Sequence, residues 1–173
     1  MALHLIIDGY NLIRQTPVWQ ELDSLDLRWG REALLESLAQ YRKAKKHPIT
    51  VVFDGGASLE ITDHRDYYQG IVVLYSHPGE TADDVIKRLA ERERERALVV
   101  SSDREIVNHA LRVGAAVMSA AEFVCRLQMA VGYRGDVEAE ESEPAPAAGT
   151  KKKGPSHRAP KKLRRLHVRL KKI

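Results

Sequence analysis

The chain has 173 residues, 43% of them hydrophobic and 6% aromatic, enough for one packed domain with a core of Leu, Val, Ile and Ala. The single cysteine, Cys125, excludes an internal disulfide and a cysteine-built zinc site, and no apolar run is long enough to span a bilayer. The net charge of +4 is unevenly spread: residues 1–135 carry 17 Lys/Arg against 19 Asp/Glu, residues 136–150 five acids and no base, and residues 151–173 eleven bases and no acid.

Leu3 to Ile7 is a short apolar run and reads as the first strand. Ser24 to Lys46 carries Leu25, Leu34, Leu35, Leu38 and Tyr41 at helical spacing and stops before Pro48. Ile49 to Phe53 is a β-branched run closed by Asp54-Gly55-Gly56, and Ile71 to Tyr75 is a third strand. Thr81 and Asp84 form a capping box for a helix with Val85, Ile86 and Leu89 as its stripe. Ala97 to Ser101 is a fourth strand. The helix marked by Ile106, Val107, Ala110 and Leu111 ends at Gly114, a residue suited to a left-handed cap. Ala115 to Met118 is a fifth strand candidate. Ser119 and Glu122 make a second capping box, opening a helix that should stop near Gly132 and bury Cys125 as a small hydrophobe.

The strands are continuous apolar runs rather than alternating ones, the pattern of a parallel sheet covered on both faces. Strands joined by helices imply an α/β fold of three α/β/α layers, with a mostly parallel sheet of four or five strands. After residue 135 the composition changes. Residues 136–162 read as an acidic-then-basic flexible linker, and residues 163–173 as a basic segment with leucines that fit a helix or a strand equally well. A soluble, cytoplasmic protein is expected, with no membrane partner.

Ligands of such a sheet bind outside the carboxyl ends of its strands. Four loops leave that edge, and each carries an aspartate: Asp8, Asp54, the pair Asp83 and Asp84, and Asp103. Arg104 is the only base beside them. Carboxylates gathered in one crevice repel unless a hard cation binds them, and magnesium or manganese suits oxygen ligands. Such an ion activates water and neutralises charge on a phosphodiester. A lone Asp at a strand end is more often a cap or turn residue, and the capping box already accounts for Asp84.

Asp8-Gly9-Tyr10-Asn11 after an apolar strand resembles the D-G-x-N signature of NYN domains, a branch of the PIN-like nucleases. The resemblance continues through Val51 to Asp54, Glu80-Thr81-Ala82-Asp83-Asp84 and Ser101-Ser102-Asp103, and in order and spacing is similar to the YacP-like NYN subfamily over roughly residues 3–131. It implies a PIN-like fold, a magnesium-dependent endoribonuclease, and association with translation, with mRNA on the ribosome as one form of RNA partner. It also implies that Asp8, Asp83 and Asp103 are core metal ligands and, with Asn11, catalytic. By the same resemblance Thr81 and Ser102 would support the ligands or contact phosphate; from the strand-end acids themselves, a second ion would be held by Asp54 or Asp84. The long basic tail departs from the compact family pattern.

Eleven tail bases without an acid can neutralise phosphates, so the tail is expected to contact nucleic acid in a sequence-poor, salt-sensitive way; a membrane-surface segment is the rival reading. Arg14, Arg28, Arg31, Arg42, Lys43, Lys45 and Lys46 read chiefly as solvated charge, and Tyr67 and Tyr68 as half-buried rings or stacking platforms for unpaired bases. Two other functions compete with the nuclease. One is a non-catalytic RNA- or ribosome-binding module. The other is a phosphatase of the haloacid dehalogenase type, which wants a second Asp where Tyr10 stands.

Overall fold

In the computed structural model, which describes residues 3–55 and 64–138, the first apolar run becomes strand β1 (His4–Asp8). Helices α1 (Gly9–Arg14), α2 (Pro17–Leu25) and α3 (Leu27–Lys45) follow, then strands β2 (Ile49–Phe53), β3 (Arg65–Tyr68) and β4 (Ile71–Tyr75). Helix α4 (Ala82–Glu93), strand β5 (Ala97–Val100), helix α5 (Arg104–Arg112), strand β6 (Ala116–Met118) and helix α6 (Ala120–Glu138) complete the order.

The strands form one sheet in the order β3-β4-β2-β1-β5-β6, parallel throughout except for β3 against β4. Side-chain alternation divides the core into two layers. Leu5 and Ile7 of β1, with Val51 and Phe53 of β2, pack under α1, α2, α3 and α6. Ile6 and Val52 pack on the other face with Val85 and Ile86 of α4 and Ile106 of α5. Both faces are therefore covered, and the three-layer α/β/α reading holds. Phe53 and Phe123 are wholly enclosed, so truncating either to Ala costs about 3–5 kcal/mol.

The sheet has six strands against the four or five expected. The additional one is β3, which forms a hairpin with β4 through Gln69 and Gly70, both at positive φ (45° and 82°). That geometry is the tight turn whose twist suits a hairpin. Its residues Arg65, Asp66 and Tyr67 are exposed, so no apolar run announces it. The region read as one helix from Ser24 is split: Asp26 ends α2 and caps α3, accepting the Arg28 N–H at 2.8 Å.

Helix α6 runs on through Gly132 to Glu138 instead of stopping at the glycine. Cys125 is exposed, not buried, because Phe123, Val124 and Leu127 take the core face of that helix. Gly114 does adopt a left-handed conformation (φ 89°) after α5. Among the described residues no helix is long and apolar enough to cross a membrane. The linker and basic segment expected beyond residue 138 lie outside the described residues.

Candidate active site at the carboxyl edge of the sheet

Strand β1 lies between β2 and β5, and the chain leaves β1 and β5 toward opposite faces, α1 on one and α5 on the other. The ends of β1 and β5 therefore border the crevice that such a reversal opens. Asp8 ends β1, and Ser101, Ser102 and Asp103 follow β5 directly. Gly9 is required at the exit from β1. A Cβ there would lie 2.3 Å from the Phe53 ring, so any side chain would push α1 off the sheet and carry Asp8 with it.

A short hydrogen-bond chain fixes these loops. Asp8 Oδ1 accepts the Asn11 backbone N–H at 3.1 Å, and Ser101 Oγ donates to Asp8 Oδ2 at 3.0 Å. Ser101 Oγ in turn accepts the Asp103 N–H at 3.1 Å, so one fully buried hydroxyl holds both acidic loops. The Asn11 side chain crosses between them as well, its Oδ1 accepting the Ser102 N–H at 3.0 Å. Asp103 caps α5, its Oδ1 accepting from Glu105 N at 2.7 Å and Ile106 N at 3.3 Å.

Asp83 enters from the first turn of α4. Burial raises its pKa above the ordinary aspartate value, and Asp103, Glu105 and Asp84 push the same way, while Lys87 opposes them. Burial likewise raises Asp8; the Asn11 N–H and the Ser101 hydroxyl pull it back, the charge of Asp83 raises it further, and Arg14 lowers it. Asp83 is thus the shared member of two repelling pairs, one with Asp8 and one with Asp103.

Asp84 and Asp54 are placed differently. Asp84 completes the expected capping box: its Oδ2 accepts from Thr81 N at 3.1 Å and Thr81 Oγ1 at 2.8 Å, and this holds its pKa below the ordinary value. Thr81 Oγ1 is correspondingly occupied in the cap. Asp54 accepts from Ser76 Oγ at 3.0 Å, beside β4. Ser102 Oγ accepts the Ala120 N–H at 3.2 Å and so anchors the start of α6.

The roles of three residues in and near the site were not read from the sequence. Ser101 lies 93 positions from the Asp8 it binds. Lys87 sits one turn along α4 from Asp83 and pairs with Glu105, which brings a further acid and a cation to the crevice. The i+4 spacing from Asp83 was the available signal for Lys87. Arg31 is not solvated as expected. It is buried, with its guanidinium 5.9 Å from the Phe53 ring centroid and 5.5 Å from that of Tyr75. A positive charge over aromatic faces explains how it tolerates burial.

Among the described residues no three acids, histidines or cysteines form a ready-made ligand cluster. Asp8, Asp83 and Asp103 are the residues of this edge whose carboxylates could take part in holding a hydrated cation, which needs only one or two of them.

The family model for YacP-like NYN domains matches residues 5–166. The chain belongs to the YacP-like NYN domain family. YacP of Bacillus subtilis is 31% identical over 91 residues, a stretch covering 50% of this chain and 51% of that protein, so the chain spans about half the length of the relative it matches. A crystal structure of a single-substitution variant of Rae1 (YacP) from Bacillus subtilis aligns with a TM-score of 0.64 at 25% identity, covering 81% of this chain and 86% of that one. A second crystal structure of Rae1 aligns with a TM-score of 0.67 at 24% identity, covering 82% and 81%, and supports the shared fold. NYN domains are PIN-like, nuclease-type domains, and the acidic edge of this one lies where β1 and β5 end.

Proposed function

We propose that this NYN domain is a divalent-cation-dependent endoribonuclease acting on RNA in the context of translation. What supports the reading is that Asp8 and Asp103 stand at the adjacent ends of β1 and β5, joined through the Ser101 hydroxyl, while the charge of Asp83 raises the pKa of Asp8 and is itself raised by burial and by Asp103. Carboxylates perturbed by burial and by one another at a sheet's switch point mark a functional site, and a cation would relieve their repulsion. Asp83, with Asp8 or Asp103, would hold magnesium or manganese. When bound, such an ion supplies an acidified water and neutralises charge on the phosphodiester. Ser101 and Asn11 are positioning residues: they fix the carboxylate planes through the hydrogen bonds described above. Asp54, Asp84, Thr81 and Ser102 support the frame through their own caps and loop contacts.

Purified protein incubated with labelled RNA and magnesium should cleave it, and Asp8→Asn and Asp83→Asn should each lower the rate at least about a hundredfold, the scale seen when a key electrostatic group is lost. Cleavage that survives both substitutions sinks the reading. The absence of a ready ligand cluster among the described residues favours, as the second reading, a non-catalytic RNA- or ribosome-binding module. Calorimetry separates the two, because a binding module shows no saturable magnesium site abolished by Asp83→Asn.

A further inference from the structure

Two cavities lie on the α4 face of the sheet, and they meet at Arg65 and Leu74, which line both. One, of about 310 Å³, lies at the carboxyl end of β4 and the start of α4, with His64, His77 and Arg88 around it and Val85 of α4 in its wall. The other, of about 330 Å³, continues to the opposite edge of the sheet, where Arg42, Lys46 and Arg92 line it with His4. Among the described residues the one acid lining either is Glu80, already paired with Arg88, while Glu93 beside the second cavity pairs with His4 and Arg92.

The far end is open to a ligand. Arg42 Nε is buried without a hydrogen-bond partner, and the guanidinium lies against Gly70, where a Cβ would come within 2.7 Å of it. Lys46 is exposed and enters no salt bridge among the described residues. The rim carries an aromatic. Tyr67 is 63% exposed and two residues along β3 from Arg65, hence on the same face, with the Arg65 guanidinium 5.2 Å from its ring centroid. Tyr68 points to the other face and packs on the core.

We propose that this groove is a track for single-stranded RNA, with phosphates along Arg42, Lys46, Arg65, Arg88 and Arg92 and an unstacked base on Tyr67. A basic groove with an exposed ring beside it is how single strands are held without sequence preference. The inference rests on the RNA-directed reading above and adds the surface that holds the strand.

The test measures binding of a short fluorescein-labelled oligouridine by anisotropy in EDTA, so that cleavage plays no part. The full chain carrying Lys46→Gln, Arg65→Gln and Arg92→Gln is compared with one carrying Lys43→Gln, Lys45→Gln and Arg112→Gln, which lie outside the groove. All six are exposed, and a circular-dichroism melt checks that both variants fold. The groove variant should weaken binding at least about tenfold and lower the slope of log K against log salt by about 2, whereas the control moves neither. Tyr67→Ala should cost about tenfold on the oligouridine and little on an RNA duplex of equal charge. Equal behaviour of groove and control variants overturns the track, and equal loss on the duplex overturns its assignment to single strands. Cleavage by the same proteins in magnesium reads the nuclease proposal separately: its absence alongside the binding pattern above leaves the groove standing.

Discussion

Ser101 is the residue on which the acidic edge turns. Its hydroxyl is buried, gives its one proton to Asp8 and takes the Asp103 N–H. Removing it leaves a half-buried carboxylate and a backbone donor short of a partner, which costs about 1–3 kcal/mol. Ser101→Ala should therefore lower Tm and, because such supporting partners orient ligands, weaken magnesium affinity or cleavage by about 10–100-fold. A variant that melts lower but binds and cleaves as the parent does would reduce Ser101 to a structural role. The acids around it were legible, since each follows an apolar strand or opens a helix. Ser101 was not, because a hydroxyl's partner 93 positions away is set by the pairing of β1 with β5, which no local pattern encodes. Arg31 escaped for a related reason: its neighbours Phe53 and Tyr75 reach it only once the sheet has formed.

At the scale of elements, local chemistry was readable wherever it was self-contained. The capping box of Thr81 and Asp84 formed as its spacing implied. The second box formed by half: Glu122 N donates to Ser119 Oγ at 3.2 Å, while the Glu122 carboxylate goes to Arg126 at 2.9 Å. Strand β3 was missed because it is an exposed edge stabilised by its turn and by pairing, not by burial. Thr81→Ala removes the cap of α4 and should cost about 1 kcal/mol, or about 2–4 °C in Tm. Thr81→Asn, another good cap, should restore both stability and cleavage; failure to restore cleavage alone would give Thr81 a substrate contact.

The seam between β1 and β2 carries a pH dependence. His4 pairs with Thr50 Oγ1 at 2.8 Å, and burial lowers its pKa below 6.5, opposed by Glu93 and assisted by Arg92 and Arg96. The unfolded chain therefore takes up the proton first on acidification, so stability is complete above pH 6.5 and declines as pH falls toward the folded value. His4→Gln should flatten that decline in urea titrations between pH 7 and pH 5; an unchanged profile assigns it to other groups.

Across the whole molecule, charge is divided between an acidic edge, a basic groove and a tail whose eleven bases lie beyond the described residues. The acidic edge works against the fold. A carboxylate whose pKa is raised in the folded state binds its proton more tightly there than in the unfolded chain, so stability falls as pH rises through the interval between the two values. At neutral pH the repulsion of Asp83 with Asp8 and Asp103 is accordingly a cost, and a bound cation would remove it. Three melts test that coupling. In EDTA at pH 7, Asp83→Asn should melt above the parent, because it deletes the shared member of both pairs. In saturating magnesium the parent should rise: an ion at a hundred times its dissociation constant adds about 2.7 kcal/mol, or about 5–10 °C for a chain of this size. Asp83→Asn should not respond. An equal rise in both proteins would mean that magnesium binds elsewhere, and the acidic edge would then need another explanation for keeping Asp83 against two carboxylates that repel it.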